Sequence, residues 1–402
     1  MKNAQAMKSA NRLAVLRLLR QRSLSRSELA AARGLTRAAM SLIIGDLIAE
    51  GLVEETGHRD SLAGRRPVLV ELCAHYAHSL GLTISRTGVE AGVTDLSGKL
   101  LCRVPIDVAG VSCAVALRRM KDTLKGLMRK HATPQNRWLG LGISSPGPVD
   151  VTTGTILNPP NFEMWHSVGI AEEMRSIGLA NVFLENNSQA LTMAEKAYGV
   201  GRETKSFLLL VVETGIGGGI VLKDEIYSGW RGFGNEVGHT SVDLNGPPCD
   251  CGQRGCVEMF ASVQRVVAAA RKHDPKTRTW NGFVDRAVAR DPVCAKLLDE
   301  QARALGTAAV NVINMLELDA IVLTGDVLYR GEVLRSSIER FVAATTINRA
   351  LRHVPVYLSS LGERPELMAA AGIAAEKFFQ GAVLPEQLGS PRVEPVASRR
   401  KR

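Results

Sequence analysis

One histidine and three cysteines set the strongest constraint on this 402-residue chain. His239 is followed ten residues later by Cys249-Asp250-Cys251-Gly252-Gln253-Arg254-Gly255-Cys256, a stretch with three of the seven cysteines. Structural zinc takes four ligands, mostly thiolate and imidazole, in a tetrahedron. His239, Cys249, Cys251 and Cys256 supply a Cys3His set, and Gly252 and Gly255 let a short loop fold back so that the sulfurs converge. The competing reading is free thiols or a disulfide. A Cys-x-Cys pair strains a disulfide between its own members, and three cysteines leave one over. With every ligand place taken by protein, the expected zinc is structural and has no open position for catalysis. Glu236 and Glu258 bracket the group.

Glu236-Val237-Gly238-His239 followed by Cys249-x-Cys251-Gly252-x-x-Gly255-Cys256-x-Glu258 resembles the signature of the ROK family, which comprises bacterial sugar kinases and sugar-responsive transcription factors. The resemblance implies that the histidine and cysteines hold zinc, and that Glu236, His239 and Glu258 face sugar hydroxyls. It leaves the sugar, and whether anything is phosphorylated, open.

The length suggests two or three domains. Aromatics are only 4% of residues, so aliphatic side chains must fill the cores. No apolar run approaches the roughly 20 residues of a membrane span, and the N-terminus lacks a secretory pattern. The expectation is a cytoplasmic, reducing setting, where thiols favour metal over disulfide. The net charge of +10 is unevenly spread: between Met1 and Ile44 the only acid is Glu28, among nine lysines and arginines. Such a block points to DNA or to a solvated basic face, and charge alone does not decide between them.

That N-terminal stretch carries a pattern of its own. Residues 8–20 read as a helix. Ser25-Arg26-Ser27-Glu28 is a capping box opening a second helix that stops at Gly34. Thr36 caps a third, with Met40, Ile43, Ile44 and Leu47 as its apolar stripe. Two short helices joined by Gly34-Leu35-Thr36 have helix-turn-helix proportions. Strands at 52–55 and 68–71 would form a wing. The segment resembles ROK repressors, including the Gly64-Arg65-Arg66-Pro67 run. The third helix is expected in the major groove, with Thr36, Arg37, Ala38 and Ser41 as candidate contacts and Arg37 as the base reader. Arg65 and Arg66 would enter the minor groove, or serve as a linker touching only phosphates. Gly45 in mid-helix has no sequence-level explanation.

From Ser79 strands and helices alternate. Strands are expected at 79–84, 88–95 and 99–104, the last closed by Pro105, then a helix over 113–130. Further strands are expected at 138–144, 182–187, 207–212 and 320–326, with helices over 297–316 and 369–379. By resemblance, Asn158-Pro159-Pro160-Asn161-Phe162 and Trp165 line the sugar pocket, and Asn186 binds sugar. Asn187 departs from the kinase pattern, which has the catalytic aspartate there. An amide cannot accept the hydroxyl proton, although it can still hydrogen-bond. Two further departures weaken nucleotide binding. In Thr83-Ile84-Ser85-Arg86 a threonine replaces a carboxylate and an arginine replaces glycine, and Asp326 stands near the expected adenosine site. Glu213-Thr214-Gly215-Ile216-Gly217-Gly218-Gly219 is either a kept phosphate loop or a tight hairpin using glycine for shape.

The expected architecture is therefore α/β. A winged helix-turn-helix over 1–72 precedes a two-lobed actin-like ATPase (ribonuclease H-like) sugar-binding and dimerisation domain over 73–380, with zinc motif 239–256, and residues 381–402 form a disordered basic tail. Sugar contacts are expected from Asn161, Asn186, Asn187, Glu236, His239 and Glu258. The expected protein is not an enzyme. It is a repressor acting as a homodimer or dimer of dimers on palindromic operator DNA and released by a sugar effector. The alternative is an ATP-dependent hexokinase-type sugar kinase with an attached DNA-binding domain.

Overall fold

The computed structural model describes residues 2–58, 67–132, 137–347, 349–362 and 365–383. Arg65, Arg66 and the expected tail beyond residue 383 lie outside them. The chain divides into two units: residues 1–190 with 364–402, and residues 191–363.

The first unit opens with α1 (Lys2–Gln21), β1 (Leu24–Ser25), α2 (Arg26–Arg33), α3 (Arg37–Ala49), β2 (Val53–His58) and β3 (Val68–Leu72). The caps fall where the sequence places them. The Ser25 hydroxyl accepts from the Glu28 amide while the Glu28 carboxylate takes the Ser25 amide, and Gly34 closes α2 at φ 62°. Thr36 Oγ1 accepts from the Ala39 amide at 3.2 Å. Met40, Ile43, Ile44 and Leu47 are buried as the stripe requires. The sequence reading missed β1, which pairs with β3 to give the order β1-β3-β2. It also started α1 too late. No atom lies within 4 Å of a Cβ built at Gly45, so packing does not require glycine there.

There follow β4 (Ala77–Ser85), β5 (Gly88–Asp95), β6 (Leu100–Ile106), α4 (Cys113–Lys130), β7 (Arg137–Ser145), the short pair β8 (Val149–Asp150) and β9 (Thr155–Ile156), α5 (Ile170–Arg175), β10 (Val182–Asn186) and α6 (Asn187–Tyr198), where the unit boundary falls. The sheet order is β10-β7-β4-β5-β6. Pro105 does not end β6, as the sequence suggested. It sits inside the strand opposite Glu90, and β6 is an edge, where a proline need not donate to a ladder.

The second unit contains β11 (Phe207–Val212), β12 (Ile216–Leu222), β13 (Glu225–Tyr227), α7 (Val257–Ala261), α8 (Val263–His273), α9 (Trp280–Val288), α10 (Pro292–Leu316), β14 (Ala320–Gly325), α11 (Glu332–Thr345) and β15 (Val356–Leu358). Its order, β13-β12-β11-β14-β15, repeats that of the first sheet strand for strand, although no sequence repeat is visible. The glycine stretch resolves towards the hairpin reading. Gly217, Gly218 and Gly219 lie within β12, paired with β11. A Cβ on Gly219 would sit 1.8 Å from Thr192 Oγ1, so close packing demands glycine there.

The last helix, α12 (Pro365–Phe379), belongs to the first unit and packs on β4, β7, β5 and β10. A Cβ on Gly142 would lie 1.9 Å from Ala370 O, and one on Gly81 would lie 2.8 Å from Ala371 N. The glycines let helix backbone rest on sheet backbone. At its far end, Ala374, Ala375, Phe378 and Phe379 share one apolar cluster with Val15, Leu16, Leu19, Leu29 and Leu47 of the three-helix segment.

Candidate functional site

The four metal-ligand candidates converge. Nδ1 or Nε2 of His239 and Sγ of Cys249, Cys251 and Cys256 all lie within 4.8 Å of one another. Cys249 Sγ is 3.6 Å from His239 Nδ1 and Cys251 Sγ is 3.5 Å from Cys256 Sγ. Zn–S bonds of about 2.3 Å and Zn–N bonds of about 2.0 Å, at tetrahedral angles, give edges of roughly 3.5–3.8 Å. The donor set and its spacing therefore fit such an ion. The loop is shaped for it by its own backbone. The Cys249 amide donates to Gln253 O at 2.8 Å and the Gly255 amide to Pro247 O at 2.9 Å. Gly255, at φ 66°, has Asp243 O where a Cβ would stand. Burial, and after it the neighbouring thiols, pushes the Cys256 thiol up to about 12, whereas a hydrogen bond from the Gln253 backbone holds the Cys251 thiol below its usual value. Thiols crowded in this way are accommodated once a cation deprotonates them.

The metal cluster and two candidate sugar ligands share short connections. His239 closes a single helical turn that starts beside Glu236, and Cys256 immediately precedes α7, which carries Glu258. Glu258 Oε2 accepts from the Ile216 amide at 2.9 Å. Loss of surrounding water raises the Glu236 carboxyl above its ordinary value; His239 opposes this and Glu258 adds to it.

In the first unit Asn161 is exposed at φ 55°. Trp165 does not line a pocket as the sequence suggested. It is 3% exposed and packs in the sheet core, its ring 6.2 Å from that of Phe162. Asn186 Oδ1 accepts from the Ser188 amide and hydroxyl, at 2.9 and 2.8 Å, and Asn187 Oδ1 accepts from the same amide at 2.9 Å. Both amides are half-buried where β10 gives way to α6.

Behind them, Glu185 is buried and its Oε1 lies 3.5 Å from Lys377 Nζ of α12, a contact that sequence reading did not find. Burial raises the Glu185 carboxyl, and Lys377 only partly offsets that. With the native pKa above the unfolded one, this group's contribution is fully present below the unfolded pKa and is lost as pH rises through the native value. The Glu185 contribution to stability should therefore decline as pH rises above about 4.5, and Glu185→Gln should remove that component, seen as a wild-type-minus-variant difference in melting temperature that changes with pH.

Thr214 and Asp326, the two ends of the expected nucleotide site, line a cavity of about 350 Å³ together with Arg271, Arg278 and Trp280. Burial raises the Asp326 carboxyl above its ordinary value. In the three-helix segment Arg37, Ala38 and Ser41 are exposed on α3, together with its cap Thr36. No helix among the described residues is long and apolar enough to cross a membrane.

Residues 79–377 match the ROK family model, and the chain belongs to the ROK family. Comparison with characterised relatives separates two kinds of member. The xylose repressor of Bacillus spizizenii is 26% identical over 378 residues, covering 93% of this chain and 97% of its own. A glucokinase of Thermotoga maritima is 28% identical over 314 residues, covering 98% of itself but only 74% of this chain. Among solved structures, a ROK family transcriptional regulator, described as a homologue of the E. coli MLC protein, superposes with a TM-score of 0.78 at 24% identity, covering 95% of this chain and 99% of that one. The regulator and kinase neighbours give this chain a mixed α/β fold of the actin-like ATPase type.

Proposed function

We propose that this protein is a transcriptional repressor that binds operator DNA through residues 1–72 as a winged helix-turn-helix and leaves it when a sugar or sugar derivative binds the ROK domain of residues 73–380. The carrying observation is the pairing of a capped three-helix segment, its α3 face exposed, with a ROK domain that has Asn187 where a kinase needs a carboxylate. The xylose repressor covers 93% of this chain, whereas the glucokinase covers 74% of it.

Asn161, Asn186, Asn187, Glu236, His239 and Glu258 are the proposed sugar ligands. The hydroxyl-binding chemistry is hydrogen bonding alone, since amides and carboxyl groups offer donors and acceptors without a base at the reacting position. Structural zinc on His239, Cys249, Cys251 and Cys256 braces the turn that carries Glu236 and the helix that carries Glu258. Operator sites of this kind are read by two-fold symmetric proteins, so the protein acts as a homodimer or dimer of dimers. Sugar and operator then bind with opposed preferences, and the coupling is reciprocal.

Operator binding measured with and without saturating sugar tests the reading: affinity that does not change refutes it. Arg37→Ala should weaken specific operator binding by about 1–3 kcal/mol while leaving sugar-induced thermal stabilisation unchanged. A kinase reading predicts phosphate transfer from ATP to a hexose, and any turnover above background would favour it.

A further inference from the structure

Resting on the DNA-binding reading proposed above, we infer that two further residues of α3 decide which duplex it accepts. Leu42 reads the methyl group of a thymine in the major groove, and Gly45 lets the helix backbone come close to the wall of that groove.

Both residues serve no visible purpose inside the protein. Gly45 stands in the interior of α3, where glycine is a costly choice relative to alanine. Its backbone is helical, which any residue adopts, and a Cβ built on it would meet no atom within 4 Å. The protein itself would accept a larger residue there, so the space is kept for something outside it. Leu42 is 73% exposed, whereas Leu29 and Leu47 of the same three-helix segment are fully buried.

The two share a face. Ala38, Ser41, Leu42 and Gly45 recur at three- and four-residue spacing, and all four are exposed. Met40, Ile43, Ile44 and Leu47 fill the buried face. A helix face left to water is best made of long polar side chains with strong helix propensity. Between Arg37 and Gly45 this one offers a methyl group, a hydroxyl, an isobutyl group and a bare backbone.

The charges around the face select the partner. Arg33, at the end of α2, and Arg37, at the start of α3, are exposed. The acids at the other end are already engaged: Asp46 pairs with Lys8 of α1 at 2.8 Å, and Glu50 pairs with Arg12. Exposed cations beside neutralised acids fit a polyanion, and the major groove of duplex DNA is wide enough to admit a helix. The apolar group that a base edge offers in that groove is the thymine methyl, which suits an exposed leucine.

The test starts from a duplex that the full-length protein selects out of a random-sequence pool. The selected half-site should carry a fixed thymine. Replacing that thymine with deoxyuridine removes the methyl group alone and should weaken wild-type binding about fourfold, the worth of one buried methyl group. Leu42→Ala should keep the wild-type melting temperature and bind the thymine and deoxyuridine duplexes equally. Gly45→Ala should raise the melting temperature of the first unit by roughly 2–4 °C, yet bind the selected duplex about tenfold more weakly, the scale of one lost specific contact. Binding indifferent to the methyl group at every thymine of the site, a methyl preference that survives in Leu42→Ala, or Gly45→Ala binding as tightly as wild type would each overturn the inference while leaving a DNA-binding repressor intact. Failure to select any duplex would overturn the proposed operator binding, and the inference with it.

Discussion

Cys251→Ser should leave a protein without zinc, with a collapsed thermal transition in the second unit and no response to sugar. Cys251 is exposed, so its loss creates no cavity, and the damage comes through the metal. The loop from His239 to Cys256 has little apolar material of its own; Cys249 and Cys256 are themselves its buried groups. Metal binding must therefore supply much of the loop's order, as in small zinc modules where binding is folding. Removal of a structural metal belongs among the rare single changes that cost more than about 4 kcal/mol. For a unit of this size that is roughly 8–16 °C in melting temperature. The effect reaches function because His239 ends the turn beside Glu236 and Cys256 leads directly into α7. Without the ion, Glu258 loses the anchor that holds it on the Ile216 amide. Metal analysis, thermal unfolding and sugar titration of the variant check the three parts separately. A variant that has lost zinc yet still releases operator on sugar addition would refute the bracing role.

The parts of this molecule that were readable from sequence are those specified by local chemistry. The capping box at Ser25–Glu28, the cap at Thr36 and the C-terminal glycine at Gly34 each act over three or four residues, and the structure places them as read. The metal cluster was readable because four ligands of restricted type sit within eighteen residues, from His239 to Cys256. What escaped depends on distant partners. β1 is a strand only because β3 lies beside it. Trp165 looked like a pocket wall because it follows the Asn161 loop, but it is drawn into the sheet core by Phe162 and its neighbours. The glycines of β12, left open by the local pattern between a phosphate cradle and a tight hairpin, permit contact with Thr192 and Val237, which no local pattern reveals. Lys377 against Glu185, and Arg86 against Pro160, join residues far apart in sequence, and a single chain gives no signal of either.

The same lesson gives the second large effect. Arg20→Met should destabilise the first unit by about 3 kcal/mol, roughly 6–12 °C in melting temperature, and weaken operator binding with it. Arg20 of α1 pairs with Glu376 of α12 at 2.6 Å, and the two side chains are only 9% and 16% exposed. The same guanidinium lies 4.5 Å over the Phe379 ring, and the neighbouring Arg17 Nε donates to Phe379 O at 2.8 Å. An exposed pair of this kind would contribute little. A largely buried one is expensive to break from one side, because the remaining charge is left without water or partner. Glu376 would be that charge, keeping only the neutral side-chain amide of Gln380, which donates to its Oε1 at 3.1 Å. Replacing both members, as Arg20→Met with Glu376→Leu, removes the stranded charge and should recover most of the lost stability, so the two changes should be strongly non-additive. Because α12 also rests backbone to backbone on β4 and β7 through Gly81 and Gly142, this junction is where the three-helix segment is fastened to the sheet that ends in Asn186. If Arg20→Met melted at the wild-type temperature, the fastening would have to rest on the Arg17–Phe379 hydrogen bond and on apolar packing of Phe378, Phe379 and Leu16.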